Sequence, residues 1–302
     1  MKAFKACLAG LALLGLSPAA MAAGGTMPLS EGDAPLPDWP FEGVFGKFDQ
    51  ASVQRGFQVY TEVCSACHSM ELLSYRNLGE PGGPFYNADD PEATEAAVAE
   101  FARQYEITEI DDYGDEVSRP RRPADRFPSP YPNVQAAAAA NGGAIPPDFS
   151  VIVKARPGGA DYIYRLMTGY PSYEEFQGEY GDELHFNDDH SHGVLTQPAG
   201  LYYNPYFPGD TSGNWDGDPR HAPAGGYLAM PPQLSDGRVD YMDGTEATQE
   251  QIAYDISQFL AWASEPKMEN RKSLGLVVMI YLFFLAILVY FSYKAIWRNV
   301  EH

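Results

Sequence analysis

Residues Leu274 to Tyr293, LGLVVMIYLFFLAILVYFSY, run for twenty positions without a charge. Hydrocarbon offers no hydrogen-bond partner to backbone N–H and C=O groups, so a lone segment of this kind crosses a bilayer only as a helix. Twenty residues at about 1.5 Å each span its core of roughly 30 Å. Tyr281, Tyr290, Tyr293 and Trp297 supply aromatics within or just beyond the run, and those nearest its ends suit an interfacial belt. The expectation is a transmembrane helix over 274–296, followed by a tail over 297–302.

The other end carries an export signal. Lys2 and Lys5 precede an apolar run from Ala6 to Leu16, and Ala20-Met21-Ala22 offers a small-x-small cleavage site. Residues 1–22 therefore read as a secretory signal peptide, cleaved after Ala22. Cys7 lies before the apolar run instead of after it, which argues against a lipoprotein anchor. An exported start and a terminal stop-transfer helix place 23–273 in the periplasm, on the outer side of a bacterial inner membrane, with the C-terminus in the cytoplasm. This single-pass topology rests on the export signal alone. Local charge would not decide it, because Lys267, Arg271 and Lys272 outside outnumber Lys294 and Arg298 inside.

Forty-one Asp and Glu against twenty Lys and Arg give a formal charge of −21. Nucleic-acid binding is excluded on that count, because it needs cations to displace phosphate counterions. The natural partner of such a surface is basic. Three Cys, one of them in the export signal, exclude a disulfide scaffold.

The exported part reads as mostly helical. From Ser52 to Cys67, Val53, Phe57, Tyr60, Cys64 and Cys67 recur at steps of four and three, one face of a helix. Thr248 and Gln251 have capping-box spacing before the stripe Ile252, Ile256, Phe259, Leu260 and Ala263, which stops ahead of Pro266. Shorter helices are expected over Val134–Ala140, between Asn133 and Asn141-Gly142-Gly143, and over Asp161–Met167, closed by Gly169. Strand signals are sparse and no repeat is visible. Two acidic stretches look inserted and are expected as solvated loops. Asp89 to Glu116 has eleven acids and a single Arg, and Glu174 to Asp189 has seven acids and no Lys or Arg. Between them, RPRRPADRFPSPYP is too rich in proline for a regular helix.

The chemistry is concentrated in Cys64-Ser65-Ala66-Cys67-His68. Thiols at i and i+3 share one side of a helical turn, so both can add to the two vinyl groups of one haem, and the adjacent imidazole is then delivered to the iron. Zinc would need further thiols that the chain lacks, and a thioredoxin-like pair would want a βαβ setting. One motif means one covalent haem c.

The sixth ligand has to be Met or His. Met70 is too near His68 to reach the opposite haem face, and Met268 and Met279 belong to the membrane approach and span. Met27 lies in a Pro/Gly-rich start, and Met167 has helix spacing with Ile163. Met230, in GYLAMPP, sits on a proline-stiffened loop suited to holding a thioether against iron. His185, His190 and His192 lie in the acidic stretch ELHFNDDHSH and read as solvated loop, with a secondary metal site as the alternative; His221 also reads as loop. With both remaining Cys consumed by haem, no nucleophile arrangement is suggested.

At this point the chain resembles the cytochrome c1 family. The resemblance is carried by RGFQVYTEVCSACHSMELLSYRNL, ANGGAIPPDFSVIVKARPGGADYIYRLMTGY, YYNPYFPGD, LAMPPQL and DGTEATQEQIAYDISQFLAWASEPKMENRKSLG, in family order. With the anchor they cover about two-fifths of the chain, while the acidic stretch before Arg119 and the segment 211–226 match less well. The resemblance implies a mainly α, class I cytochrome c fold with long loop insertions and a C-terminal transmembrane helix. Its first and last domain helices would cross at Gly56 and Tyr60, against Phe259 and Trp262. It implies covalent attachment at Cys64 and Cys67, and His68 and Met230 as axial metal ligands. Asn141, Pro146, Pro147, Tyr162, Leu166 and Phe207 would line the haem, and Arg156 would partner a propionate.

The implied role is electron relay within quinol–cytochrome c oxidoreductase, the bc1 complex of a respiratory or photosynthetic chain. A Rieske iron-sulfur protein would reduce this subunit, which would reduce a c-type cytochrome, while quinol is oxidised at neighbouring subunits such as cytochrome b in a dimeric complex. The chain has no candidate quinol site of its own. Two other readings share the same motif: a tethered monohaem carrier or terminal-oxidase subunit, and a haem sensor with a weak sixth ligand.

Overall fold

The computed structural model describes residues 35–188 and 191–299. The export signal with Cys7 and its cleavage site, Met27, His190 and the end of the tail lie outside them.

Two crossed helices make the frame. Helix α1, Gln50–Val59, starts at Asp49, whose carboxylate accepts from the Ala51 and Ser52 amides at 3.1 and 3.5 Å. Helix α7, Gln249–Ser264, starts at Thr248, whose hydroxyl accepts from Gln251 N at 3.1 Å. At the crossing, a Cβ built on Gly56 would lie 2.0 Å from the Asp255 carbonyl oxygen and 2.6 Å from Phe259 Cβ. Only glycine lets the two backbones approach this closely. Phe57 and Tyr60 then meet the Phe259 ring, each at 5.7 Å between centroids, and Phe259 stacks on Trp262 at 5.8 Å. Beside this contact Asp255, fully buried, accepts from Ser52 Oγ at 2.6 Å and pairs with Arg55 at 2.8 Å. The crossing expected from Gly56 and Tyr60 is therefore formed, locked by one buried ion pair.

The helical face anticipated from Ser52 through to Cys67 does not stay α-helical. After Val59 the backbone widens into a π-turn over Tyr60–Cys64, closed by Ser65 N donating to Tyr60 O at 2.8 Å. Two short helices follow the expected boundaries closely. Helix α4, Val134–Ala140, is capped by Asn133, whose side chain accepts from Ala136 N at 2.8 Å. Helix α6, Gly159–Thr168, packs on α7 and ends at Gly169. The four-residue turns α2, Arg76–Gly79, and α5, Ile152–Ala155, complete the set around the core.

The acidic stretches are not simple loops. The first opens with helix α3, Pro91–Arg103, which has proline at its first turn and an Asp90 cap. It buries Thr94, Val98 and Ala102 and sets Phe101 edge-on to Phe57 at 5.6 Å, while Glu92, Glu95 and Glu100 face solvent. It continues as a hairpin of β1, Glu106–Ile110, and β2, Glu116–Pro120. The second stretch forms β3, Phe176–Gln177, and β4, Glu183–Asp188, in an antiparallel sheet with β5, Ser191–Thr196. Strands β6, Tyr202–Asn204, and β7, Gly226–Leu228, form a third small sheet. Leu184, Leu195, Tyr203 and Trp215 bury a satellite core there, separate from the main one. Sparse strand signals thus understated seven short strands among the described residues; each buries too few side chains to leave a clear alternating pattern.

Helix α8, Met268–Ile296, begins six residues before the uncharged run and is exposed along nearly all of it. Among the described residues it alone is long and apolar enough to cross a membrane. Its base is tied to the domain by Lys267 to Glu80 at 2.7 Å and by Glu265, which pairs with Lys154 at 3.0 Å and with Arg271.

Candidate haem-binding site

The π-turn delivers the motif. Cys67 N and His68 N both donate to Cys64 O, at 3.1 and 3.0 Å, so the two thiols and the imidazole share one tight turn off α1. Both cysteines are half-buried and outside any disulfide. Burial, reinforced by Cys67, pushes the Cys64 thiol up to about 12. A nucleophilic or redox-active thiol is tuned in the opposite direction.

His68 is buried, and its orientation is fixed from a distance in sequence. Nδ1 lies 2.9 Å from the Pro147 carbonyl, and the ring stacks on Phe149 with centroids 4.0 Å apart. A carbonyl at Nδ1 makes that nitrogen the N–H donor and leaves Nε2 with its lone pair for a metal. Burial lowers the His68 pKa, against weaker opposition from the Pro147 carbonyl and Asp148, which favours the neutral form of the ring that metal ligation would require. Tyr60 adds a hydrogen bond from its hydroxyl to His68 O at 3.2 Å.

The segment carrying Pro147 and Phe149 is itself fastened to the strand of chain after His68. Asp148 accepts from Ser69 Oγ at 2.9 Å and from Glu71 N at 2.8 Å, Phe149 N donates to Ser69 O at 2.8 Å, and Leu72 N donates to Ser150 Oγ at 2.9 Å. Burial alone would raise the Asp148 pKa; the hydrogen bonds from Ser150, Glu71 and Ser69 outweigh it and hold the carboxyl below its ordinary value. A carboxylate is thereby kept ionised as the knot of this clasp.

Met230 follows β7 by two residues and is half-buried against the main core. Its carbonyl, and not its side chain, is held by Tyr170 Oη at 2.9 Å, which leaves the thioether uncommitted. Tyr162 and Leu166, on α6, are buried in that core, and Phe207 packs against it with Cys64 and Met230. Arg156 is half-buried and reaches the Tyr162 hydroxyl, which burial raises and Arg156 lowers. Pro146 and Pro147 are brought to His68 through the Pro147 carbonyl. Asn141 is placed differently, with its amide on Ala137 O at 2.7 Å and Tyr131 Oη at 3.1 Å, local to its own helix end. His185 sits exposed on β4 beside Glu183 at 3.3 Å, and His192 is exposed on β5; both are strand residues instead of loop. No group of three or more potential metal ligands occurs among the described residues.

Two cysteines and an imidazole with Nε2 open on one turn, with the Met230 thioether against the same core, are residue types that could hold a covalent haem. Comparison with known proteins agrees. The model of the Cytochrome C1 family matches residues 39–300. The chain belongs to the cytochrome c1 family. It is 42% identical to cytochrome c1 of Rhodospirillum rubrum over 294 residues, covering 93% of this chain and 94% of that one. It is 44% identical to cytochrome b/c1 of Bradyrhizobium diazoefficiens over 86% of its length, spanning 35% of that longer protein. It is 40% identical to the mitochondrial cytochrome c1 haem protein of Saccharomyces cerevisiae over 89% of its length and 73% of the yeast chain.

Membership of the cytochrome c1 family makes this a c-type cytochrome with covalently bound haem, mainly helical and carrying a single-pass membrane anchor. Several supports of the site escape a sequence reading: the Phe149 stack, the Asp148 clasp and the Tyr170 tether. Tyr170 follows Gly169, the helix stop, so its signal was an aromatic at a helix end, which has many commoner explanations.

Proposed function

We propose that this cytochrome c1 is the electron-relay subunit of a bc1-type quinol–cytochrome c oxidoreductase, accepting electrons from a Rieske iron-sulfur protein and passing them to a c-type cytochrome. Cys64 and Cys67 would hold the haem by thioether bonds, and His68 Nε2 and the Met230 thioether would ligate its iron. When bound, the haem supplies a one-electron iron couple, and His/Met ligation favours a relatively high potential. The chain's own part is to orient and insulate. Pro147 and Phe149 fix the imidazole plane, Tyr170 steadies the Met230 loop, and Tyr162, Leu166 and Phe207 supply apolar walls that exclude water. Arg156 neutralises a propionate, and Asn141, Pro146 and Pro147 line the edge.

The observation that carries this reading is His68, buried, with Nδ1 committed to a carbonyl and Nε2 left over, on the turn that bears Cys64 and Cys67. Two relatives support the assembly. The Bradyrhizobium relative is a cytochrome b/c1, and a relative from Candida albicans, 41% identical, is a catalytic subunit of the cytochrome b-c1 complex. Cytochrome b is then the neighbour in the membrane, in a dimeric complex. Residues 1–22 are the export signal, 23–273 the periplasmic haem domain, 274–296 the span of the bacterial inner membrane and 297–302 the cytoplasmic tail.

The test is reduction of this chain's haem by added quinol in mild-detergent membrane extracts. Rapid reduction in a co-purifying complex, blocked by quinol-site inhibitors, is expected. A haem that purifies alone and is reduced only by other cytochromes would instead make the chain a tethered carrier. For the ligand assignment, Met230→Leu is expected to lower the reduction potential sharply and open the reduced iron to carbon monoxide; an unchanged potential would remove Met230 from the iron.

A further inference from the structure

Before α1, residues 39–48 form a compact loop strapped across the domain and the base of the membrane helix. Trp39 is buried, stacks on Tyr254 at 5.1 Å and donates to Asp161 at 2.6 Å, which fixes the loop's entry. Its exit is fixed by Phe48, whose amide donates to Glu269 at 3.0 Å and whose ring meets Phe41 at 5.3 Å. Between them Lys272 Nζ donates to the carbonyls of Phe41, at 2.5 Å, and Gly46, at 3.3 Å. Lys47 N closes the loop on Pro40 O at 2.9 Å, and Gly43, at φ +71°, turns it at the tip.

The tip carries Val44 and Phe45, exposed by 64% and 77%. They are the two large apolar side chains that this otherwise anchored loop leaves uncovered. Its depth follows from α8. Going from Phe48 back to Gly46, the loop's contact moves from Glu269 to Lys272, about 4.5 Å along the helix axis toward the membrane span. Leu274, where the uncharged run begins, is only about 3 Å further on. The headgroup zone outside the hydrocarbon is roughly 5–8 Å thick on each side, so the loop reaches Lys272 at headgroup level.

We propose that Val44 and Phe45 insert into the headgroup interface of the leaflet on the haem-domain side, giving the protein a second membrane contact beside its anchor. The proposal rests on α8 being the membrane span. Two side chains are far too small a patch for a stable protein interface, but an aliphatic and an aromatic residue at headgroup depth suit an interfacial lipid contact. Glu42 and Lys47 flank the pair and are exposed; their charges stop the tip at the headgroups. Through Lys272 and Glu269 the contact limits how the haem domain leans about its tether.

The test uses the holoprotein in phosphatidylcholine nanodiscs, where Cys7 has left with the export signal and Cys64 and Cys67 are taken up by haem, so that one added cysteine takes a nitroxide label. Labels at Val44→Cys, Phe45→Cys, Leu274→Cys and Tyr113→Cys are compared by collision with oxygen, enriched in lipid, and with a water-soluble nickel chelate. Tyr113, 91% exposed on the β1–β2 hairpin, is the aqueous reference. The oxygen-to-nickel ratio at 44 and 45 is expected to rise well above that at 113 and approach that at 274. A ratio equal to that at 113 overturns the proposal, and labels shielded from both reagents overturn it too, since they would mark a protein contact. If Leu274 itself reads as aqueous, the anchor assignment falls and the proposal with it.

Discussion

Replacing Gly56 with Ala should destabilise the haem domain although alanine is the better helix former. The added methyl would sit 2.0 Å from the Asp255 carbonyl oxygen and 2.6 Å from Phe259 Cβ, one of them backbone and the other rooted in it. Ordinary heavy-atom contacts lie near 3.5 Å, so α1 and α7 would have to separate by more than about 1 Å. Helix propensity returns about 1 kcal/mol. Overpacking a close-packed contact costs about 1–3 kcal/mol. Separation also stretches the Ser52 and Arg55 bonds to buried Asp255, now at 2.6 and 2.8 Å, and breaking a buried pair outright costs about 3–5 kcal/mol. With the pair stretched but not broken, a net loss of about 2–4 kcal/mol is expected. The assay is chaotrope unfolding of the detergent-solubilised holoprotein, followed by its visible spectrum. Gly114→Ala is the comparison: that glycine has open space around it at φ +92°, so only backbone strain of about 1–2 kcal/mol applies. A Gly56→Ala protein within about 0.5 kcal/mol of the parent would show that the helices separate freely, and the crossing would not be the lock described above.

Asp255→Asn should cost about 3 kcal/mol in the same assay, because Arg55 keeps only the exposed Asp243 as a charged partner; a loss near that of a surface pair would contradict this. Tyr170→Phe removes the 2.9 Å bond to Met230 O and should cost about 1 kcal/mol while making the reduced protein bind carbon monoxide faster. Unchanged binding kinetics would deny Tyr170 any hold on the loop. Asp125 is held at about 2, below its ordinary 3.8, first by the Arg119 hydrogen bonds, which outweigh burial, and by the Arg122 amide. A depressed carboxyl pKa stabilises the folded state fully above the unfolded value and loses that stabilisation as pH falls through the folded one. The stability gap between the parent and Asp125→Asn should therefore be constant above pH about 4 and close between about 4 and 2; a gap that persists at pH 2 would refute the pairing.

Features coded by neighbours in the chain were legible. Asn133 and Thr248 cap the helices they precede, Gly169 ends α6, and the crossing at Gly56 and Tyr60 is the one the family resemblance implied. Helix α3 was not, because its inward face, Thr94, Val98, Phe101 and Ala102, is a short stripe with a polar member in an acid-rich segment; Phe101 packs on Phe57 and Tyr75, supplied by other parts of the chain. The β4–β5 hairpin hid for a similar reason, since its inward Leu184 and Leu195 are covered by Tyr203 and Trp215 from later segments.

By itself the sequence determined that this chain carries a covalent haem motif with adjacent imidazole, an amphipathic helical frame and one membrane-length apolar run, because each is written in residues a few positions apart. Tertiary structure alone decided how His68 and Met230 are held. Pro147 O reaches His68 across 79 positions and Tyr170 reaches Met230 O across 60, and in both cases the acceptor is a backbone carbonyl. Every residue has that group, so its use leaves no mark in the sequence until the fold brings the partner to it.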